Sequence, residues 1–554
     1  MKPRNHAPLE ASQVPVTRRS FAIAGVAGIA SLAGAPAIHV RRAEHDLVVR
    51  GGLIFDGTGT PGVAGDLAIR GARITAFAPR IAERGTAEID AGGQCVAPGF
   101  IDIHSHGDGS LSQDPRAESV VRQGITTIIA GQDGSSRGSE PGAIGARLAA
   151  IDALRPSVNV ATMIGLGTVR AAVVGESDRP ATPDELQRMT AIVERALSEG
   201  ACGASSGLEY TPGAFASRDE LIALCRPLAS RRLCYATHMR NEDDRLLDSI
   251  DESIAVASGA RCPLQISHLK TQGPRNWDKL DTAFARIEAA KRQGLDVAFD
   301  RYPYIAYQTG LTNLFPVWSR DGGTEAFLRR LADTTTSPRI RTETLAKVDL
   351  IGGWDNVLIA GVRDPADRAA EGKRMGTYAR SLGRDPYEET VAMLGRNDGS
   401  IGMVGFAMSE ENLDRILAHP LGMVCSDGGG FAIDGPTRRG NPHPRGIGSF
   451  PRVLGRYVRE RKAITLEQAI RKMTSFPASR VRLADRGRLA IGAAADVVVF
   501  DAARVTDLGT FEQPFQYPAG ITAVIVNGTV AIGDGDRKQG GAGQGLRPTP
   551  AIGP

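Results

Sequence analysis

The chain has 554 residues, 42% of them hydrophobic and 23% charged. That composition suits a globular protein rather than a disordered one, and the length allows one large domain with a smaller companion. The formal net charge is +4, but residues 1–37 carry Lys2, Arg4, Arg18 and Arg19 against Glu10. Their surplus of +3 leaves the remainder at +1. A near-neutral body gives no electrostatic footing for nucleic acid or for an anionic membrane surface.

Residues 1–37 read as a targeting segment. Arg18-Arg19 stands in "TRRSFAIAG", followed by the apolar "FAIAGVAGIASLAG" and the small-residue site Ala35-Pro36-Ala37. A basic region, a short apolar region and an A-x-A site make a signal peptide of the twin-arginine type. The expected location is therefore the periplasm. The apolar run is too short and Gly-rich for a membrane span, so no stable membrane insertion is expected.

Residues 44–97 and 479–535 each read as short strands with turn signals such as Arg50-Gly51-Gly52 and Asp56-Gly57. Two β segments at opposite ends of a chain are expected to close into one small β domain. Residues 536–554, rich in Gly and Pro, read as a flexible tail.

Between them, over 98–478, eight apolar strand candidates alternate with amphipathic helices: "GFIDIHSH", "ITTIIAGQD", "VNVATMIGLG", "CGASSGLEY", "LCYATHMR", "LQISHLK", "VAFDRYPY" and "MVCSD". Strands buried on both faces read as continuous apolar runs. Helix starts carry capping signals at Thr182/Glu185, Ser217/Glu220 and Thr465/Gln468. Eight such units predict an α/β fold of the (β/α)8 TIM-barrel type, with a doubly wound sheet as the alternative. The stretch 305–422 is too long for one connection and is expected to hold an inserted lid region that includes "NVLIAGV". Cys95, Cys202, Cys225, Cys234, Cys262 and Cys425 form no C-x-x-C pair. A domain of this size needs no disulfide framework.

The chain has nine histidines. His104, His106, His238 and His268 fall at the ends of strand candidates, as do Asp133 and Asp427. In a barrel those ends face one mouth. His104-Ser105-His106 has the period-2 spacing that turns both rings to one side of a strand. Imidazole and carboxylate groups gathered from five strands predict a divalent metal site. His443, before a proline in a loop, reads as structural, and Glu209 as a neighbour of the site.

The segments "VAPGFIDIHSHGD", "SSGLEYTPGAFAS", "YATHMRNE", "LQISHLK", "CSDGGG", "NPHPRGIGSFPRVLGRYVRE" and "DRGRLAIGAAADVVVFD" occur in an order that resembles the amidohydrolase superfamily, and within it the N-acyl-D-amino-acid deacylases. The resemblance implies a Zn2+ ion held tightly by His238, His268 and a second-strand ligand, with His104 and His106 lining a weaker second divalent position. It implies that Asp427 is the general base and later the general acid. It further implies that Lys270, Tyr302, Tyr304 and Arg445 contact a small-molecule N-acyl amino acid substrate. One departure stands out: the deacylase pattern has Cys where this chain has Asp133. A carboxylate is also anionic but harder, which shifts preference toward harder ions. The implied reaction is deacylation of an N-acyl-D-amino acid. The rival readings are hydrolysis of another amide (a dipeptide, a cyclic amide or a xenobiotic) and a binding protein without catalysis.

Overall fold

The computed structural model describes residues 44–538 and 540–550. The targeting segment read from residues 1–37 lies outside the described residues. No helix among the described residues is long and apolar enough to cross a membrane.

Eight parallel strands form the barrel. We number them β1 (Phe100–Asp102), β2 (Ile125–Ala130), β3 (Asn159–Thr162, resuming at Ile164–Gly165), β4 (Gly203–Gly207), β5 (Cys234–His238), β6 (Leu264–Ile266), β7 (Val297–Arg301) and β8 (Gly422–Val424). Each pairs in parallel with the next from β1 to β8. The ring closes just beyond the strand ends. There the Asp427 amide donates to His104 O at 2.9 Å and the His106 amide to Gly428 O at 2.9 Å. The Ser426 amide donates to the Asp102 carboxylate at 2.8 Å. All eight strand candidates are thus strands of one barrel.

The strands alternate as a period of two requires. Cys234 and Ala236 point inward with Ile129, Ala161, Met163, Cys202, Ala298 and Cys425. Tyr235, Leu264, Ile266, Val297 and Phe299 point outward and pack under the helices. Three of the six cysteines are therefore compact filling for the barrel axis, and all six are free and buried. Two capping boxes form in full, at Thr182 and Thr465. The third is half made: Ser217 accepts from the Glu220 amide, but the Glu220 carboxylate turns to Arg170, 2.5 Å away.

The two β segments join in one nine-stranded sheet. The seam is antiparallel, pairing Cys95–Pro98 with Val497–Phe500. Between β7 and β8 the chain makes a long excursion. It contains a three-stranded antiparallel sheet, with Gly402–Phe406 between Ala306–Gly310 and Val357–Gly361, and the helices Gly323–Ala332, Ser337–Leu350, Met375–Ser381 and Pro386–Arg396.

The reading of 536–554 as a flexible tail is corrected over the described part of that range. Asp536–Arg537 is the last strand of the β sheet. Beyond it the backbone lies against β3 and the turn before it: Gly543 N donates to Pro156 O at 2.8 Å, Val160 N to Gln544 O at 2.9 Å and Leu546 N to Val160 O at 2.8 Å. The glycines have a packing reason. A Cβ at Gly541, Gly543 or Gly545 would collide with the carbonyl oxygens of Arg155, Val158 and Leu148 respectively. Backbone laid directly on backbone needs residues without side chains, which in composition looks like a loose linker. Gly543→Val is expected to destabilise the fold by ~1–3 kcal/mol, the usual cost of overpacking. The readout is a lower midpoint of chemical denaturation, and an unchanged midpoint contradicts the packed strap.

Candidate metal centre

At the C-terminal end of the barrel lies a cavity of about 570 Å³. His238 ends β5 on the same inward face as Cys234 and Ala236. Three other site residues sit past their strands with left-handed backbone: Asp133 (φ 53), His268 (φ 36) and Asp427 (φ 48). A non-glycine residue in that region is strained, and it persists where surrounding bonds over-determine it. His268 is held by its amide, which donates to Asp300 Oδ1 at 2.8 Å. Asp427 is held by its amide bond to His104 O. Asp133 is backed by Gly207, where any Cβ would strike the Asp133 carbonyl.

The six expected ligands come together in two overlapping groups. His104, His106, Asp133 and Asp427 form one, and Asp133, His238 and His268 the other. In the first, Asp133 Oδ2 is 3.3 Å from both His104 Nε2 and His106 Nε2, and Asp427 Oδ1 is 3.5 and 3.2 Å from the same two nitrogens. In the second, His238 Nδ1 is 3.0 Å from His268 Nε2, which is 3.5 Å from Asp133 Oδ1. Ligands about 2.0–2.2 Å from a tetrahedral zinc ion stand about 3.4 Å from one another. The observed separations fit that edge length. His104 Nε2 and Asp133 Oδ1, both facing the cluster, are buried without a hydrogen-bond partner. Buried polar atoms left unpaired are costly, and a cation satisfies them. Because Asp133 turns one oxygen to each group, the residues fit two ions sharing one carboxylate.

The electrostatics agree. Burial alone would raise the Asp427 carboxyl, but Arg445 and His104 hold it well below the usual carboxylate range. Burial likewise opposes ionised Asp133, and His104, His106 and His268 outweigh it. Desolvation works against protonated His106 and His238, yet Asp133 and Asp427 push the first up to about 10, and Glu242 and Glu209 push the second up to about 9. Clustered carboxylates thus recruit positive charge at this spot. A metal ion supplies the same charge and displaces those protons.

Two contributors were missed in the sequence. Glu242 Oε1 accepts from Lys270 Nζ at 2.6 Å and lies 3.1 Å from His268 Nδ1. Asp300 lies 3.7 Å from His104 Nδ1. Such outer carboxylates fix the ring orientation and raise the basicity of ligating histidines. The only local signal for Glu242 was its place four residues beyond His238. Glu209 is 3.4 Å from His238 Nε2 and lines the cavity.

Of the residues expected at the substrate, Lys270, Tyr302 and Arg445 line the cavity. Lys270 Nζ is shared between Glu242 and His268 Nδ1. Arg445 Nη1 donates to Asp427 Oδ2 at 2.6 Å and its Nη2 to Gln308 O at 3.2 Å. The Tyr302 hydroxyl is buried without a partner. The expectation for Tyr304 is corrected. It does not line the cavity: it stacks under Arg452, 4.6 Å from the guanidinium, and donates to Asp507 at 3.3 Å. In Y-P-Y the two tyrosines fall on different sides of the chain, and only Tyr302 stays on the cavity side. His443 supports its neighbours: Nε2 donates to Ala306 O at 2.9 Å and Nδ1 accepts from the Arg445 amide at 2.9 Å.

A barrel with imidazoles and carboxylates converging at its strand ends is the frame of a metal-dependent hydrolase. Comparison with known proteins gives the family. The amidohydrolase family model matches residues 87–532. The N-acyl-D-glutamate deacylase of Alcaligenes xylosoxydans xylosoxydans is 37% identical over 501 residues, covering 87% of this chain and 93% of that protein. The D-aminoacylase of the same organism is 34% identical, with the same coverage. The crystal structure of the Bordetella bronchiseptica N-acyl-D-glutamate deacylase, complexed with zinc and a phosphonate inhibitor, superposes with a TM-score of 0.78. It is 34% identical, and the match covers 91% of this chain and 99% of that one. This chain belongs to the amidohydrolase family.

Since Asp133 belongs to both ligand groups, Asp133→Ala is expected to lower bound metal more than loss of His106, which belongs to one. Elemental analysis of the purified variants checks this. Wild-type metal content in Asp133→Ala contradicts the shared-carboxylate geometry.

Proposed function

We propose that this protein is an exported zinc hydrolase that deacylates N-acyl-D-amino acids, releasing a carboxylate and a free D-amino acid. The observation that carries the reading is the convergence, in one cavity, of the six-residue ligand cluster with the carboxylate-binding types Arg445 and Lys270. The relatives named for this reaction supply the substrate class.

Zinc is proposed as the tightly held ion, at His238, His268 and Asp133, with a weaker second divalent position at His104 and His106. Bound there, a divalent ion polarises the scissile carbonyl and acidifies water. The remaining chemistry belongs to side chains. Asp427 takes the proton of the attacking water and delivers it to the leaving nitrogen. Arg445 holds Asp427 in place by the Nη1 bond, and its Nε is buried without a partner. Arg445, Lys270 and the unpaired Tyr302 hydroxyl receive the substrate carboxylate, fixing the amide against the cluster. The buried setting keeps bulk water from competing for these charges.

The test is release of free amine from a panel of N-acetyl D- and L-amino acids by metal-replete protein. Turnover of D-substrates is expected, and its absence overturns the reading. Asp427→Asn is expected to cost at least the ~10²–10⁴-fold of general acid–base catalysis, with metal retained at His238 and His268. Near-wild-type turnover removes Asp427 from the role.

Export through the twin-arginine segment is part of the proposal, supported by Arg18-Arg19, the short apolar run and Ala35-Pro36-Ala37. Replacing both Arg18 and Arg19 by Lys is expected to leave the protein in the cytoplasm on cell fractionation. Undiminished periplasmic protein contradicts it.

A further inference from the structure

Away from the metal ligands, the polar part of the cavity wall is Gln272 and, from the excursion, Gln308, Thr309 and Asn313, beside the rings of Tyr307 and Phe431, with Glu209 between Asn313 and His238. Glu209 is the charged member of this stretch. Its Oε2 accepts from Asn313 Nδ2 at 3.0 Å and lies 3.4 Å from His238 Nε2, so the carboxylate is fixed in place.

The cations nearby are all engaged. Lysine and arginine side chains on the cavity wall, among the described residues, are Lys270 and Arg445. Lys270 is bonded to Glu242 and Arg445 to Asp427. Lys347, on the helix Ser337–Leu350, lies behind Glu209 in an adjoining void of about 250 Å³. It is ion-paired with Asp243 and is 3.9 Å from Glu209 Oε1. Arg320 lines the same void and donates to the Glu209 carbonyl at 3.0 Å.

We propose that this wall is the substrate's side-chain pocket, that it selects uncharged polar side chains, and that Glu209 is the residue that rejects acidic ones. The inference rests on the deacylase reading and names the substrate class within it. The substrate's own carboxylate takes up Arg445 and Lys270. A second carboxylate, on the side chain, then enters a buried site with no released cation and meets the Glu209 carboxylate. It loses its water without a compensating partner, which is strongly unfavourable. An amide or hydroxyl instead finds donors and acceptors in Gln272, Gln308, Thr309 and Asn313. Lys347 is paired with Asp243, so Glu209 keeps its charge toward the cavity, and a cationic side chain meets Lys270 on the same wall. Discrimination of this kind works by an unpaired or repelled charge against the wrong ligand.

The experiment compares kcat/KM for N-acetyl-D-glutamine and N-acetyl-D-glutamate, which differ in charge but hardly in shape. Wild-type protein is expected to favour glutamine by about tenfold or more, because like charges brought together in a buried site are strongly disfavoured. Glu209→Gln is expected to shrink that ratio several-fold. Because the measure is a ratio, any general loss through His238 cancels, and metal content is recorded for each variant. Asn313→Lys, away from the metal ligands, adds a cation to the same wall and is expected to shift the ratio the same way. A wild-type preference for glutamate overturns the inference while leaving the deacylase reading intact. A ratio unmoved in both variants removes Glu209 from the role. No turnover of any D-substrate overturns the deacylase reading and this inference with it.

Discussion

The site depends on the seam where β8 meets β1. Asp427 N–H to His104 O, His106 N–H to Gly428 O and Ser426 N–H to the buried Asp102 carboxylate tie together segments more than 300 residues apart. These bonds close the barrel. The same bonds set the carboxylate proposed as base 3.2 Å from one ring of the H-x-H pair. The first ligand group is thus tied to ring closure: His104, His106 and Asp427 face one another because the seam joins their segments. Loss of the seam would dissolve the site and the barrel together.

Around that seam the backbone carries strain where the chemistry is. Asp133, His268 and Asp427 all occupy the left-handed region, uncommon outside glycine and most tolerated by short polar side chains. Each is pinned by something distant in sequence: Gly207 behind Asp133, Asp300 beneath His268, and His104 beside Asp427. Such a backbone is over-determined, which preorganises the ligands before any ion arrives. The outer ring extends this. Glu242 orients His268 while engaging Lys270, and Arg445 spans Asp427 and the excursion strand at Gln308. Metal ligands, proposed base and proposed substrate clamps are therefore one hydrogen-bonded unit.

Much of this was legible in the sequence because strand periodicity and strand ends are local signals. His104, His106, Asp133, His238, His268 and Asp427 each stood at the close of an apolar run, and the barrel rule brought those ends together. The β domain was legible from matching strand patterns at both ends. What was not legible depended on contacts without a local signature. Glu242 matters because a carboxylate in the turn after β5 folds back onto His268, which spacing alone does not reveal. Tyr304 was misplaced because the proline between it and Tyr302 turns the chain, sending the second ring to Arg452 and Asp507. The Gly-rich tail was misread because glycine serves equally in a loose linker and in a backbone packed against another backbone.

The most direct measurement of the central claim is an anomalous-scattering map from crystals grown with zinc, collected on both sides of the zinc edge. The account predicts a strong peak within bonding distance of His238 Nδ1, His268 Nε2 and the Asp133 carboxylate. It also predicts a weaker one between the other Asp133 oxygen and the His104–His106 pair. An empty cluster, or zinc bound only at surface residues away from Asp133, would contradict it.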